Sequence, residues 1–126
     1  MNVPANLKYT EDHEWVKVDG NTAYIGVTEY AQGELGDVVF VDIDPDLDAI
    51  EKGESFGTIE AVKTVSDIYA PCNGKVVEVN AKLEDEPQTI NQDPYGEGWL
   101  IKVEIDNLDE LNDLMDAEAY TAHIGH

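Results

Sequence analysis

The chain has 126 residues, and its 28 acidic side chains against 7 lysines and no arginine give a formal net charge of −21. This charge excludes nucleic acid as a partner, because phosphates are bound by clustered Lys and Arg, and it disfavours anionic membrane surfaces. A chain of this length is expected to form a single domain, residues 1–126, whose acidic field suits protein partners with basic docking faces.

The predicted compartment is the cytoplasm. No run approaches the roughly 18 apolar residues of a membrane span, and residues 1–9 resemble neither a signal peptide nor a transit peptide. Cys72 is the single cysteine, which excludes an internal disulfide and fits a reducing compartment. A bacterial source is the simplest interpretation, and a processed mitochondrial protein with an added Met would look similar.

Short strands are expected where apolar residues alternate or cluster between turn residues. They are predicted at residues 15–18, 23–27, 38–41, 75–79 and 99–105. Thr28 is expected to cap a helical turn that Gly33 and Gly36 close. Residues 42–48, with four alternating Asp, are expected to form a solvated loop because their spacing does not match a calcium loop. Residues 80–86 are expected to be a charged excursion.

The central segment, residues 57–71 (GTIEAVKTVSDIYAP), predicts a β-hairpin with Lys63 near its tip. β-branched and aromatic residues on both sides of Lys63 favour extended backbone. Gly53 and Gly57 bound the upstream half with turn chemistry, and Pro71 bounds the downstream half.

The last segment changes to a helical period. Asn107 with Glu110 three residues later forms a start like a capping box, and apolar residues at 108, 111, 114 and 115 share one helical face. This pattern predicts a C-terminal amphipathic helix, after which Asp116 caps a final turn. Several short strands and one terminal helix predict a mainly β fold, a small antiparallel β-sandwich with a C-terminal α-helix.

Lys63 is the candidate functional residue. Lysine is scarce in this composition, and its amine stands on a flexible stem that is a standard target for acylation. A protruding lysine on a small acidic β domain therefore indicates an attachment point for a carried group.

Other kinds of site find little support in the sequence. Cys72 lies in a predicted turn without a local histidine to activate it, so no nucleophile–base pair of a free-standing hydrolase is visible. His123 and His126 could face the same way on a helix, but zinc sites normally bring three or four ligands. No metal site is predicted.

Five stretches resemble one known family, the H protein of the glycine cleavage system. They are residues 9–16 (YTEDHEWV), 25–32 (IGVTEYAQ), 35–41 (LGDVVFV), 57–71 (GTIEAVKTVSDIYAP) and 93–100 (DPYGEGWL). The chain departs from the family at Ala61, often Ser, at Thr64, often Ala, and at the turn of residues 72–74. These departures leave Lys63 in place and bear only on partner affinity.

The resemblance implies a barrel-sandwich hybrid of lipoyl-domain type, with lipoate joined to Lys63 through an amide. Such a chain is a carrier and catalyses nothing alone. Its implied partners are a pyridoxal-phosphate-dependent glycine decarboxylase (P protein), a folate-dependent aminomethyltransferase (T protein), dihydrolipoamide dehydrogenase (L protein) and a lipoate-attaching enzyme. The carried group is the aminomethyl group of glycine.

A cationic aminomethyl group would profit from a carboxylate-lined cleft that holds it and shields it from water. Asp12 and Glu14 precede the first predicted strand and Asp67 follows Lys63 by four residues, so these three are the candidates. Ordinary surface charge is the competing interpretation in so acidic a chain. His13 is a candidate for the same cleft or for packing beside Trp15.

Four alternatives remain at this point. A biotin carrier usually flanks its lysine with methionine, whereas the neighbours of Lys63 are Val62 and Thr64. A lipoyl domain of a 2-oxoacid dehydrogenase lacks the motif at residues 93–99. An H-like protein could instead relay lipoate to other enzymes, and an interaction domain would leave Lys63 unmodified.

Overall fold

The computed structural model describes residues 3–125, and its described strands form two antiparallel sheets. The strands are β1 Lys8–Tyr9, β2 Glu14–Asp19, β3 Thr22–Val27, β4 Val38–Asp42, β5 Ala49–Ile50, β6 Ser55–Ala61, β7 Val65–Tyr69, β8 Gly74–Val79 and β9 Ile101–Ile105. The larger sheet has the order β1-β2-β3-β9-β8-β5, and the smaller has the order β4-β6-β7. The predicted mainly β sandwich is confirmed.

Short helices connect the strands. They are α1 Glu29–Leu35, α2 Lys82–Asp85, α3 Thr89–Gln92, a 3₁₀ helix Leu108–Asp113 and α4 Ala117–His123. None of the helices within residues 3–125 is long and apolar enough to cross a membrane.

The main core lies between the two sheets and follows the period of two in the sequence. Ile25 of β3 and Val103 of β9 come from the larger sheet, and Ile59 of β6 and Ile68 of β7 come from the smaller one; all four are buried in one cluster. Burying such a side chain contributes about 1.5–3 kcal/mol relative to leaving it exposed. This shared core fixes how the Lys63 hairpin stands on the larger sheet.

A second cluster covers the other side of β1 and β2. Tyr9 stacks on Tyr120 of α4 with ring centroids 4.6 Å apart, and Trp15 packs beside them. The Trp15 ring lies across Gly26, where an added Cβ would come within 2.6 Å of the ring carbons. Trp15 Nε1 donates a hydrogen bond to Pro94 O at 2.9 Å. Helix α4 is thereby held against the first strands.

The prediction of one amphipathic helix from Asn107 onward is wrong. The apolar spacing of three instead produces the 3₁₀ helix, in which residues i and i+3 align. Leu114 is extended, and Met115 pairs with Tyr9 through two backbone hydrogen bonds of 2.8 Å. A backbone paired with a strand cannot continue a helix. Asp116 then caps α4 through Ala119 N at 2.8 Å, as predicted.

Other differences are small. Gly33 lies inside α1, and Gly36 alone ends that helix with φ of 81°. Helix α2 lies in the region predicted as a charged excursion, and α3 was not predicted. Residues 99 and 100 precede β9 instead of leading it.

Candidate functional site

Lys63 lies at the tip of the β6–β7 hairpin, which confirms the predicted turn. Glu60 pairs with Val65, and Ala61 N donates to Thr64 O at 2.9 Å. Among residues 3–125, His13 is the only non-glycine residue with positive φ, so the two central turn residues both have negative φ. This excludes turn types I′, II and II′, which require a positive φ.

The segment between α1 and β4 supports the base of the tip. Val62 N donates to Asp37 O at 3.0 Å. The aliphatic stem of Lys63 runs past Gly36, where an added Cβ would lie 3.4 Å from Cγ, Cδ and Cε. Asn91 of α3 braces this segment, because its amide donates to Gly36 O at 2.9 Å and its carbonyl accepts from Val38 N at 2.8 Å. The Lys63 side chain is exposed, whereas the segment beneath its stem is held in place by hydrogen bonds.

Exposed apolar side chains surround the lysine. Val62 and Val65 beside it are 71% and 61% exposed, and Phe40 of β4 is 49% exposed. Phe40, Glu60 and Val65 form one cross-strand row. This apolar surface with acidic neighbours is the hairpin face.

The three predicted cleft carboxylates, Asp12, Glu14 and Asp67, line one cavity of about 110 Å³. The cavity lies between the start of β2, helix α1 and strand β7; we call it the cleft. Glu34 of α1 adds a fourth carboxylate, and Leu35, which precedes Gly36 beside the lysine stem, also lines it. The structure therefore brings together residues that are distant in sequence.

Glu14 is the buried member of this group, with 2% of its surface exposed. Its Oε1 accepts from Thr10 Oγ1 at 2.7 Å, and its Oε2 accepts from Tyr69 N at 3.2 Å. Burial raises the pKa of the Glu14 carboxyl to about 7, although the hydrogen bonds from Thr10 and Tyr69 oppose the rise. Glu14 can therefore be charged or neutral near neutral pH.

A larger cavity of about 400 Å³ adjoins the cleft and shares Asp12 and Glu14 with it. Tyr69 and Met115 line its apolar side, and the ion pair of Lys52 with Asp113, 3.1 Å long, adjoins it. Glu14 is therefore reached from two sides.

His13 lines the cleft, and its aromatic neighbours are Tyr30, Tyr120 and His123. The φ of His13 is 70°, a left-handed conformation that non-glycine residues rarely adopt.

Other candidate groups are inert in the described structure. Cys72 is fully buried, and burial raises the pKa of its thiol to about 11, which disfavours the nucleophilic thiolate. Within residues 3–125, no three His, Cys, Asp or Glu side chains are arranged to hold a metal ion. His126 lies outside the described residues.

Comparison with known proteins now identifies the family. The family model described as glycine cleavage H-protein matches residues 7–126. The chain belongs to this family. It is 55% identical over 122 residues to the glycine cleavage system H protein of Bacteroides fragilis, covering 97% of both chains. It is 54% identical over 125 residues to that of Staphylococcus saprophyticus, covering 99% of both.

The fold agrees with a solved H protein. The crystal structure of the glycine cleavage system H protein from Mycobacterium marinum superposes with a TM-score of 0.89 at 39% identity, covering 98% of this chain and all of that one. The likeness places this chain among lipoyl-domain-like β-sandwiches.

Sequence reasoning missed one carboxylate of the cleft lining and the hydrogen bonds that hold the segment around His13. Thr10, Thr28 and Tyr120 hold the segment around His13, and Glu34 adds a carboxylate. Tyr120 carried no signal, because its partner His13 is 107 residues away.

Proposed function

We propose that this chain is the lipoyl-carrying shuttle of the glycine cleavage system and that lipoate is attached through an amide to Nζ of Lys63. The observation that carries the proposal is the exposed lysine at a braced hairpin tip, in a chain that belongs to the H-protein family. The residues present fit the group, because Gly36 leaves room for the stem and the cleft begins beside it. The carrier unit spans residues 1–126 and is not itself a catalyst.

Lys63 would hold the lipoate, which would supply a dithiolane able to accept the aminomethyl group. Glycine decarboxylase (P protein) supplies that group, the aminomethyltransferase (T protein) removes it, and dihydrolipoamide dehydrogenase (L protein) reoxidises the dithiol. A separate enzyme attaches the lipoate. The carrier supplies reach and local concentration wherever it docks.

The hairpin face is the proposed docking surface for these enzymes. Val62, Val65 and Phe40 offer exposed apolar contacts, and acidic side chains such as Glu60 lie among them. An apolar groove with a basic rim would complement both features. The bacterial relatives and the lack of a spanning helix within residues 3–125 support a cytoplasmic setting.

We also propose that the cleft holds the carried amine. An alkylamine is cationic at neutral pH, and Asp12, Glu14 and Asp67 would surround it with carboxylates. Ionised Glu14 lacks a cationic partner within 4.0 Å among the described residues, whose ion pairs join other side chains. A cation would therefore relieve the cost of its burial. Closure around the amine would also exclude water.

Mass spectrometry of the chain purified from its native cell tests the attachment. We expect a lipoyl-sized increment that maps to Lys63, is absent from Lys63→Arg and persists in Lys75→Arg, a control on β8. A biotin-sized increment, or an unmodified Lys63 in cells that lipoylate their other carriers, would refute it. Glycine–bicarbonate exchange with the decarboxylase then separates glycine cleavage from lipoate relay, since a relay protein would support no exchange.

A further inference from the structure

Tyr120 joins three elements through its hydroxyl group. Tyr120 Oη lies 2.9 Å from His13 Nδ1 and 2.7 Å from Thr28 Oγ1. Thr28 Oγ1 also accepts from Ala31 N at 3.1 Å, as the N-cap of α1. Tyr120 and Thr28 are fully buried. The start of β2, the start of α1 and helix α4 therefore meet at one phenol.

One direction of donation satisfies every group in this series of hydrogen bonds. Because Ala31 donates to the Thr28 hydroxyl, that hydroxyl can donate to Tyr120 Oη, and Tyr120 can donate to His13 Nδ1. Each hydroxyl then donates once and accepts once. This direction requires the neutral form of His13 with its proton on Nε2. Aligned hydrogen bonds of this kind strengthen one another.

This series of hydrogen bonds ends at His13, whose backbone is strained and lies within the cleft. His13, with φ of 70°, lies between Asp12 and Glu14. Such a conformation persists only where the surroundings fix it. Two hydrogen bonds fix the backbone of His13: its N donates to Thr10 O at 3.1 Å, and its O accepts from Thr28 N at 3.0 Å. The bond from the side chain to Tyr120 fixes the ring.

We infer that Tyr120 is a positioning residue of the cleft: by holding His13, its hydroxyl keeps the Asp12 and Glu14 carboxylates in place for the carried amine. This inference rests on the proposed function of the cleft. Tyr120 stands outside the cleft lining, so its effect passes through His13 and Thr28.

Protonation of His13 would break this arrangement. An imidazolium donates from both nitrogens, so Nδ1 of His13 could no longer accept from Tyr120. The Tyr120 hydroxyl proton would then turn toward Thr28 Oγ1, and the Thr28 hydroxyl would lose its acceptor. The positioning effect should therefore be present above the ordinary histidine pKa and be lost at lower pH.

The groups that face His13 favour its neutral form, as this pH dependence requires. Tyr30 and Glu34 face it from α1, Tyr120 and His123 face it from α4, and Asp12 precedes it. Burial and then His123 lower the pKa of His13, and these outweigh the opposite effects of Asp12 and Glu34. The neutral form is therefore the favoured form in the folded chain.

The test uses Tyr120→Phe, which keeps the ring that stacks on Tyr9. The matched control is Tyr24→Phe, on the face of the larger sheet away from the cleft. The first readout is the Glu14 pKa in the unlipoylated chain, followed by carboxyl ¹³C NMR. We expect it to fall from about 7 toward 4.5 in Tyr120→Phe, because water reaches a loosened Glu14, and to stay unchanged in the control.

The second readout is the rate at which the loaded carrier loses its aminomethyl group. We expect roughly fivefold faster loss in Tyr120→Phe at pH 7.5, the factor that corresponds to one buried hydrogen bond. His13→Asn tolerates positive φ and keeps an acceptor without a titrating ring. The ratio of its rate of aminomethyl loss to the wild-type rate should therefore fall below one as the pH is lowered through the titration of His13.

The outcomes separate the two proposals. A folded Tyr120→Phe variant with an unchanged Glu14 pKa and unchanged loss would overturn the role of Tyr120. A lower Glu14 pKa without faster loss would support the positioning by Tyr120 and overturn the protection by the cleft. A His13→Asn rate that tracks wild type at every pH would overturn the assignment of His13 as the pH-sensitive member.

Discussion

Replacing Glu14 with Gln should stabilise the unlipoylated chain at alkaline pH. The carboxyl has its pKa raised from 4.5 to about 7, so the folded chain holds this proton more tightly than the unfolded chain. Its contribution to stability is complete below pH 4.5, declines between pH 4.5 and 7, and is lost above 7. A shift of this size corresponds to roughly 3 kcal/mol, since each pKa unit corresponds to about 1.4 kcal/mol.

Urea unfolding at a series of pH values measures this effect. The free energy of unfolding of Glu14→Gln minus that of wild type should rise by about 3 kcal/mol between pH 4 and 8. Asp67→Asn removes one exposed carboxylate from the same cleft and reports the effect of net charge alone. If the Glu14→Gln difference is the same at both ends of the pH range, Glu14 is not an unfavourably buried carboxylate and the reasoning fails.

Three further changes test other parts of the molecule. Gly36→Ala should lower the free energy of unfolding by about 1–2 kcal/mol, because the φ of Gly36 is 81°. Denaturant unfolding measures this loss, with Gly33→Ala, in open space within α1, as the control; an equal loss in both variants would contradict the role of the positive φ. Cys72 should resist alkylation at pH 8 in the folded chain, since burial raises its pKa to about 11, and rapid labelling without unfolding would contradict this. Phe40→Ser should weaken binding to the decarboxylase, measured by calorimetry, without changing the unfolding midpoint by much; unchanged affinity would remove Phe40 from the docking surface.

The strands could be predicted because their signals are local. In β9, and in β3 as far as Ile25, buried residues alternate with more exposed ones, and this period of two is visible in the sequence. The hairpin around Lys63 was likewise bounded by turn residues on both sides. The break between the 3₁₀ helix and α4 could not be predicted, since the pairing of Met115 with Tyr9 joins residues that are 106 positions apart.

The cleft was partly predictable for a similar reason. A cationic cargo indicated carboxylates, and Asp12, Glu14 and Asp67 do line one cavity. Which of the three is buried depends on the strand β7 and on Thr10, whose contacts enclose Glu14. Because most of the 28 acidic residues look alike in the sequence, only packing separates Glu14 from the rest.

The burial of Glu14 and its proposed role are connected by one balance of free energy. An ionised carboxylate in this position destabilises the empty carrier, because its hydrogen bonds from Thr10 and Tyr69 only partly replace water. A cationic amine brought beside it would lower its pKa and recover that cost. Loading should therefore deprotonate Glu14 and stabilise the fold together, whereas the empty carrier gains nothing from closing the cleft.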